Sequence, residues 1–116
     1  MSRQKRARRA IEVDESTGIP YMADVVFEWD AEKAAANWRN HGVAFAHAIK
    51  AFIDAFSVEW IDEREAYGEE RFNLLGMCDG ALLHVTYTDR GDRLRIISAR
   101  RATRNEQDHY FRENST

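Results

Sequence analysis

Residues 71–99 constrain the fold more than any other part of the chain. Three runs, Arg71–Cys78, Ala81–Thr88 and Arg93–Ala99, alternate between apolar and polar side chains and are parted only by Asp79-Gly80 and Gly91-Asp92. Such pairs between alternating runs mark tight hairpins, because glycine and aspartate accept the backbone angles the turn demands. Three strands joined this way pair antiparallel. Period-two alternation then assigns the faces: in the middle run Leu83, Val85 and Tyr87 fall on one side, and Leu82, His84, Thr86 and Thr88 on the other. One face must meet helices, and the other is left more open.

The remaining segments supply the helices. Val25–Trp29 reads as a short strand, and Asp30 as an N-cap whose carboxylate accepts from the free amides of the first turn. A helix is predicted over Ala31–His41, stopping at Gly42. A second is predicted over Phe45–Asp54, with Phe45, Ile49, Phe52 and Ile53 on one face. Ser57–Ile61 reads as another strand. The last helix is predicted over Thr103–Arg112, with Thr103 and Glu106 at capping-box spacing. The order is β-α-α-β-β-β-β-α, an α+β domain whose curved antiparallel sheet packs against helices on one side. Residues 1–22 are charged, with little apolar content and the chain's one proline, Pro20. They read as a flexible basic N-terminal arm, which leaves residues 23–116 as the domain.

A chain of 116 residues fits one domain. No apolar run approaches the roughly 20 residues needed to span a bilayer, and no signal peptide is read, so a cytoplasmic setting without membrane contact is expected. The single cysteine, Cys78, sits in an apolar run and reads as a small buried hydrophobe. The net charge of −3 hides a gradient: residues 22–70 hold four basic and eleven acidic residues, whereas residues 90–112 hold seven arginines against three acids. Arginines gathered where a strand gives way to a helix suit phosphate. The acidic strip Asp62-Glu63-Arg64-Glu65 reads as a solvated loop or as a contact for a basic partner segment.

RNA can be cut without a metal, by attack of the 2′-hydroxyl on its own phosphate. The protein must move protons and neutralise charge on the phosphorane. His41 ends a helix, where the dipole favours an imidazolium; it serves proton transfer or merely closes the helix. Arg101 and Arg104 near a helix start await an anion or pair with Glu106 or Asp108. Tyr87 stacks on a base or is buried with Leu83 and Val85, and Arg90 closes the same strand. His47, His84 and His109 lack partners at metal-ligand spacing and read as surface or sheet residues, so neither metal nor cofactor is expected. Phosphate-binding glycine loops, nucleophile elbows and paired cysteines are all missing from the sequence.

The runs FEWDAEKAAANWRNHGVAF, GEERFNLLG and VTYTDRGDRLRIISARRATRNEQDHY, in that order, resemble the BrnT family of bacterial type II toxins from Phe27 to about Phe111. The resemblance implies a RelE-like fold, metal-independent ribonuclease activity and growth arrest through blocked translation. It also implies a BrnA-type ribbon-helix-helix antitoxin, a heterotetramer with it, and DNA contact through the antitoxin alone. By position, the family's polar residues fall on Lys33, His41, Arg71, Arg100, Arg104 and Glu106. The expectation is that Arg71 and Arg100 hold the phosphate and transition state, His41 transfers protons and Arg104 supports. Lys33, Tyr87, Arg90 and Glu106 are expected to bind substrate. The alternative is a non-catalytic partner-binding or nucleic-acid-binding module, an inactivated toxin. The basic arm departs from the family pattern, whose compact members start near Met22.

Overall fold

The computed structural model describes residues 11–13, 20–22, 25–64 and 68–115. Strands β1 (Ile11–Val13) and β2 (Pro20–Met22) pair antiparallel, from Ile11 opposite Met22 to Val13 opposite Pro20. Part of the stretch read as a flexible arm is thus a hairpin; its basic residues 3–9 lie outside the described residues. There follow β3 (Val26–Glu28), α1 (Ala31–His41), α2 (Phe45–Ala48), β4 (Val58–Asp62), β5 (Arg71–Cys78), β6 (Ala81–Asp89), β7 (Arg93–Arg101) and α3 (Arg104–Glu113). The result is a mixed α+β domain whose five-stranded sheet is ordered β3-β7-β6-β5-β4.

Local chemistry sets the helix limits. The Asp30 carboxylate accepts from the backbone N–H of Glu32 at 2.8 Å and of Lys33 at 3.0 Å. Gly42 takes a left-handed φ of 67° and donates to the Trp38 carbonyl, the conformation that stops an α-helix most cheaply when no Cβ is present. The predicted second helix is cut short: after Ala48 the chain tightens into a 3₁₀ segment, Ile49–Ile53. Three residues per turn line up Ala48 and Ala51, both fully buried, toward the sheet. The approach is so close that a Cβ on Gly76 of β5 would lie 2.2 Å from the Ala51 carbonyl oxygen.

The sheet is not wholly antiparallel, as the sequence had suggested. β3 runs parallel to β7, with Phe27 opposite Leu94. Parallel neighbours need a long crossover, and every element from α1 to β6 intervenes between them. Beyond Arg95, β3 no longer flanks β7. There buried Asn37 of α1 takes the place of a strand: its Nδ2 donates to the Ala99 and Val43 carbonyls at 2.8 and 2.9 Å, and its Oδ1 accepts from the Ala99 N–H at 3.0 Å.

The main core lies under α1, α2 and the 3₁₀ segment, where Phe45, Ala48 and Phe52 meet Leu74, Val85, Tyr87 and Ile96. Helices do not stay on one side, however. On the opposite face Tyr110 of α3 packs with Val58, Leu75 and Leu82. Its hydroxyl donates to Asp54 Oδ2 at 2.6 Å, and the same oxygen accepts from the Met77 N–H at 2.8 Å. Tyr110 accounts for the placement of α3, since its ring belongs to this second apolar cluster.

A bulge in β7 decides where its arginines point. Thr86 pairs with Ser98 but Tyr87 pairs with Ile96, so Ile97 is the extra residue. Strict alternation would put Arg95 and Arg100 on opposite faces. The inserted residue puts both on the face turned away from the main core.

Candidate active site on the polar sheet face

Strand register gathers the polar side chains of this second face into rows. Trp60, Asn73, Thr86 and Ser98 stand in line across β4 to β7, and Leu75, His84 and Arg100 form the next row. Arg71 stands opposite Asp62 at the β4–β5 edge of the same face. Arg71 and Arg100 therefore share a surface, two strands apart (roughly 10 Å) and about four residues, or roughly 13 Å, along it. The face is less open than alternation suggested, because Leu82, His84, Thr86 and Thr88 are all buried.

At its centre Arg100 grips Glu106 of α3 with both ends of its guanidinium, Nη1 to Oε1 at 2.8 Å and Nη2 to Oε2 at 2.9 Å. Glu106 Oε1 also accepts from the Thr103 N–H at 2.9 Å, while Thr103 Oγ1 accepts from the Glu106 N–H, which completes the expected capping box. Burial works against the Glu106 charge, yet the bonds from Arg100 and Thr103 outweigh it and bring the carboxyl to about 2. Arg100 is in turn held charged by Glu106.

Beneath this pair lies His84, 5% exposed. Its Nε2 is 3.8 Å from Glu106 Oε2, and its ring stands edge-on to Trp60 at 6.0 Å. Among the described residues its buried Nδ1 has no hydrogen-bond partner. Burial first, and the nearby Arg100 second, push the imidazole below its usual pKa, so it is neutral at neutral pH. Alternation placed His84 on the sheet, but its burial was not legible, because what covers it, Arg100 and Glu106, is set by the bulge and by the docking of α3.

Two further arginine groups flank the centre. The Asp62 carboxylate is buried and takes two bonds from the Arg64 guanidinium and one from the Arg64 backbone N–H, which with burial opposing them hold it at about 2. Asp62 is therefore no solvated loop residue. Glu28 is ringed by Arg90, Arg93 and Arg95 at 3.6, 3.3 and 3.3 Å.

The other expected site residues are scattered. His41 is exposed at the end of α1, on the main-core side of the sheet, and among the described residues no hydrogen bond or ion pair joins it to Arg71 or Arg100. Tyr87 is 1% exposed, packed between Phe52 and Phe72, with its hydroxyl donating to Glu59; a ring so enclosed has no face left for a base. Lys33 is exposed in the first turn of α1. Arg104 is exposed at the start of α3, 3.5 Å from Asp108, the carboxylate pairing its position allowed.

One grouping escaped the sequence. Donor atoms of His47, Cys78 and Asp79 lie within 4.8 Å of one another. Asp79 already faces a cation there, Lys50 Nζ at 2.9 Å, and burial, with Asp79 beside it, pushes the Cys78 thiol up. Cys78 is buried, as its apolar run predicted.

A small α+β domain that presents guanidiniums, a carboxylate and a neutral imidazole on one sheet face has the equipment to handle a phosphodiester. Residues 29–106 match the family described as ribonuclease toxin, BrnT, of type II toxin-antitoxin system. The chain belongs to the BrnT family, whose members are ribonuclease toxins and so imply an RNA target and an antitoxin partner. No curated protein matches the chain. Among the described residues no helix is long and apolar enough to cross a membrane.

Proposed function

We propose that this chain is a metal-independent endoribonuclease that arrests growth by blocking translation, with a RelE-like fold and a cytoplasmic setting. A BrnA-type ribbon-helix-helix antitoxin restrains it, in a heterotetramer that meets DNA only through the antitoxin. The observation that carries the reading is the Arg100–Glu106–His84 cluster. An incoming phosphate competes with Glu106 for the Arg100 fork, since both acceptors fit the same paired donors. The guanidinium then stays with the phosphate as charge grows on the phosphorane. Glu106, no longer bonded to Arg100, becomes a stronger base and accepts the 2′-hydroxyl proton as the 2′-oxygen bonds to phosphorus; the bond from phosphorus to the 5′-oxygen then breaks, and that oxygen leaves with a proton from water. Neutral His84, with Nε2 3.8 Å from Glu106 Oε2, stands beside that carboxylate and steadies it by its dipole. Arg71 holds a neighbouring phosphate, and Arg104, Arg90 and their neighbours extend the positive track. His41, Tyr87 and Lys33 have no part in the chemical step, because they stand elsewhere on the domain.

The test is incubation of purified chain with RNA in the presence of a chelator. Cleavage by the wild type and loss of cleavage in Arg100→Ala are expected. Chelator-sensitive cleavage, or full activity in Arg100→Ala, refutes the reading. One observation favours a second reading, an inactivated toxin kept for partner binding: Arg100 is already closed on Glu106, with His84 buried below. That reading predicts antitoxin binding with no cleavage of any RNA offered.

A further inference from the structure

We propose that a groove at the end of the sheet, between Trp38 and Phe111, is where the antitoxin docks, through an apolar segment bearing one carboxylate for Arg101. The proposal rests on the toxin–antitoxin reading above. Two concavities of about 440 and 300 Å³ meet there and share Ala81 and Arg101. The first is walled by Trp38, Val43 and Leu83 on the main-core side, the second by Leu82, Ala102 and Phe111 on the other. Together they wrap around the tip of the β5–β6 hairpin.

Two features point to a protein occupant. Trp38 and Phe111 are 59% and 55% exposed at opposite ends of the groove; large apolar side chains left open beside apolar hollows mark contact sites. Arg101 stands between them. Of the arginines from 90 to 104, Arg90, Arg93, Arg95, Arg100 and Arg104 each have a carboxylate within 4 Å. Arg101 has none among the described residues, although a tryptophan, an arginine and an apolar hollow are the ingredients of an interface hot spot. Arg101 is exposed in the free chain, so an occupant that covers it desolvates its guanidinium, which then needs an anionic partner such as one side-chain carboxylate.

RNA fits this groove less well. The first concavity is lined mainly by apolar side chains, and the Asp79 carboxylate beside it repels phosphate. The arginine clusters lie on the polar face instead. The location also suits restraint of the enzyme. Arg101 follows Arg100 in β7, and Phe111 shares α3 with Glu106, so an occupant would fix the two elements whose separation frees Arg100.

The test uses the full chain and the protein encoded by the reading frame adjoining its gene, with the dissociation constant measured by titration calorimetry. Trp38→Ala and Arg101→Glu are each expected to weaken binding at least tenfold. Val26→Ser, an exposed apolar side chain on the far edge strand, should leave it unchanged. Trp38→Ala should still cut RNA as the wild type does and melt at the same temperature. Equal binding by all variants overturns the proposal and leaves the toxin reading standing. The proposal also falls if the wild type does not bind that protein, if Trp38→Ala instead dissociates a dimer of this chain in sedimentation, or if Arg101→Glu weakens RNA binding. RNA cleavage by the free chain, measured separately, tells whether the toxin reading fails with it.

Discussion

Glu106→Gln separates the two duties assigned to Glu106. Glutamine keeps the length and an oxygen for the Thr103 N–H, so the cap survives, while the charge facing Arg100 is lost. The drop of the carboxyl from 4.5 to about 2 sets an upper limit of about 3 kcal/mol on what the native contacts of the anion contribute. Glu106 is one-fifth exposed and Arg100 about one-third, and water at that edge reduces the figure to about 1 kcal/mol. For a domain of this size that is a melting temperature lower by about 4–8 °C near neutral pH. The sign with pH follows. A carboxyl depressed in the folded state adds stability above its unfolded value of 4.5, and that stability is lost as pH falls toward 2. The wild-type and variant unfolding curves, followed by circular dichroism, should therefore converge in acid. Cleavage should fall by about 10²–10⁴-fold, the range for loss of a general base, while RNA binding tightens because Arg100 is free for phosphate. A variant that cuts RNA at the wild-type rate, or a gap between the curves that persists at pH 2, refutes the reasoning.

Gly76→Ala should lower the urea midpoint by the equivalent of about 1–3 kcal/mol, since its methyl would sit 2.2 Å from the Ala51 carbonyl oxygen; an unchanged midpoint would mean the 3₁₀ segment is not seated on β5. Asn37→Ala removes three buried hydrogen bonds and should cost about 2–4 kcal/mol, read by the same urea titration, with a loss under about 1 kcal/mol arguing against its stand-in for a strand. His84 gives a pH signature of its own. Its pKa is lowered below 6.5 in the folded state, so the unfolded chain binds the proton more readily and stability drops as pH falls below 6.5. His84→Gln should flatten that part of the stability profile, and an unaltered profile would show that His84 is not the group responsible.

What the sequence revealed was local. Asp30, Gly42, the Asp79-Gly80 turn and the Thr103–Glu106 box each act within a few residues, and each sits where its side-chain chemistry placed it. What it hid was relational. The bulge at Ile97 carries no composition signal, yet it decides that Arg100 and Arg95 share a face. The side on which α3 packs depends on Tyr110 finding Val58, Leu75 and Leu82, three residues on three strands. His84 could be assigned to the less buried face by alternation, but its burial came from those two unseen events. For His41 the place at a helix end was legible, while the layer to which that helix belongs was not.

The pairing of β3 with β7 has a consequence during synthesis. The first strand of the sheet must wait for the last, which leaves the ribosome after nearly all of the domain has been made. Arg100 belongs to that late strand, and Glu106 follows it still later. A nascent chain therefore cannot present the assembled cluster until both β7 and α3 have emerged, so the guanidinium, the carboxylate and the imidazole meet late in synthesis.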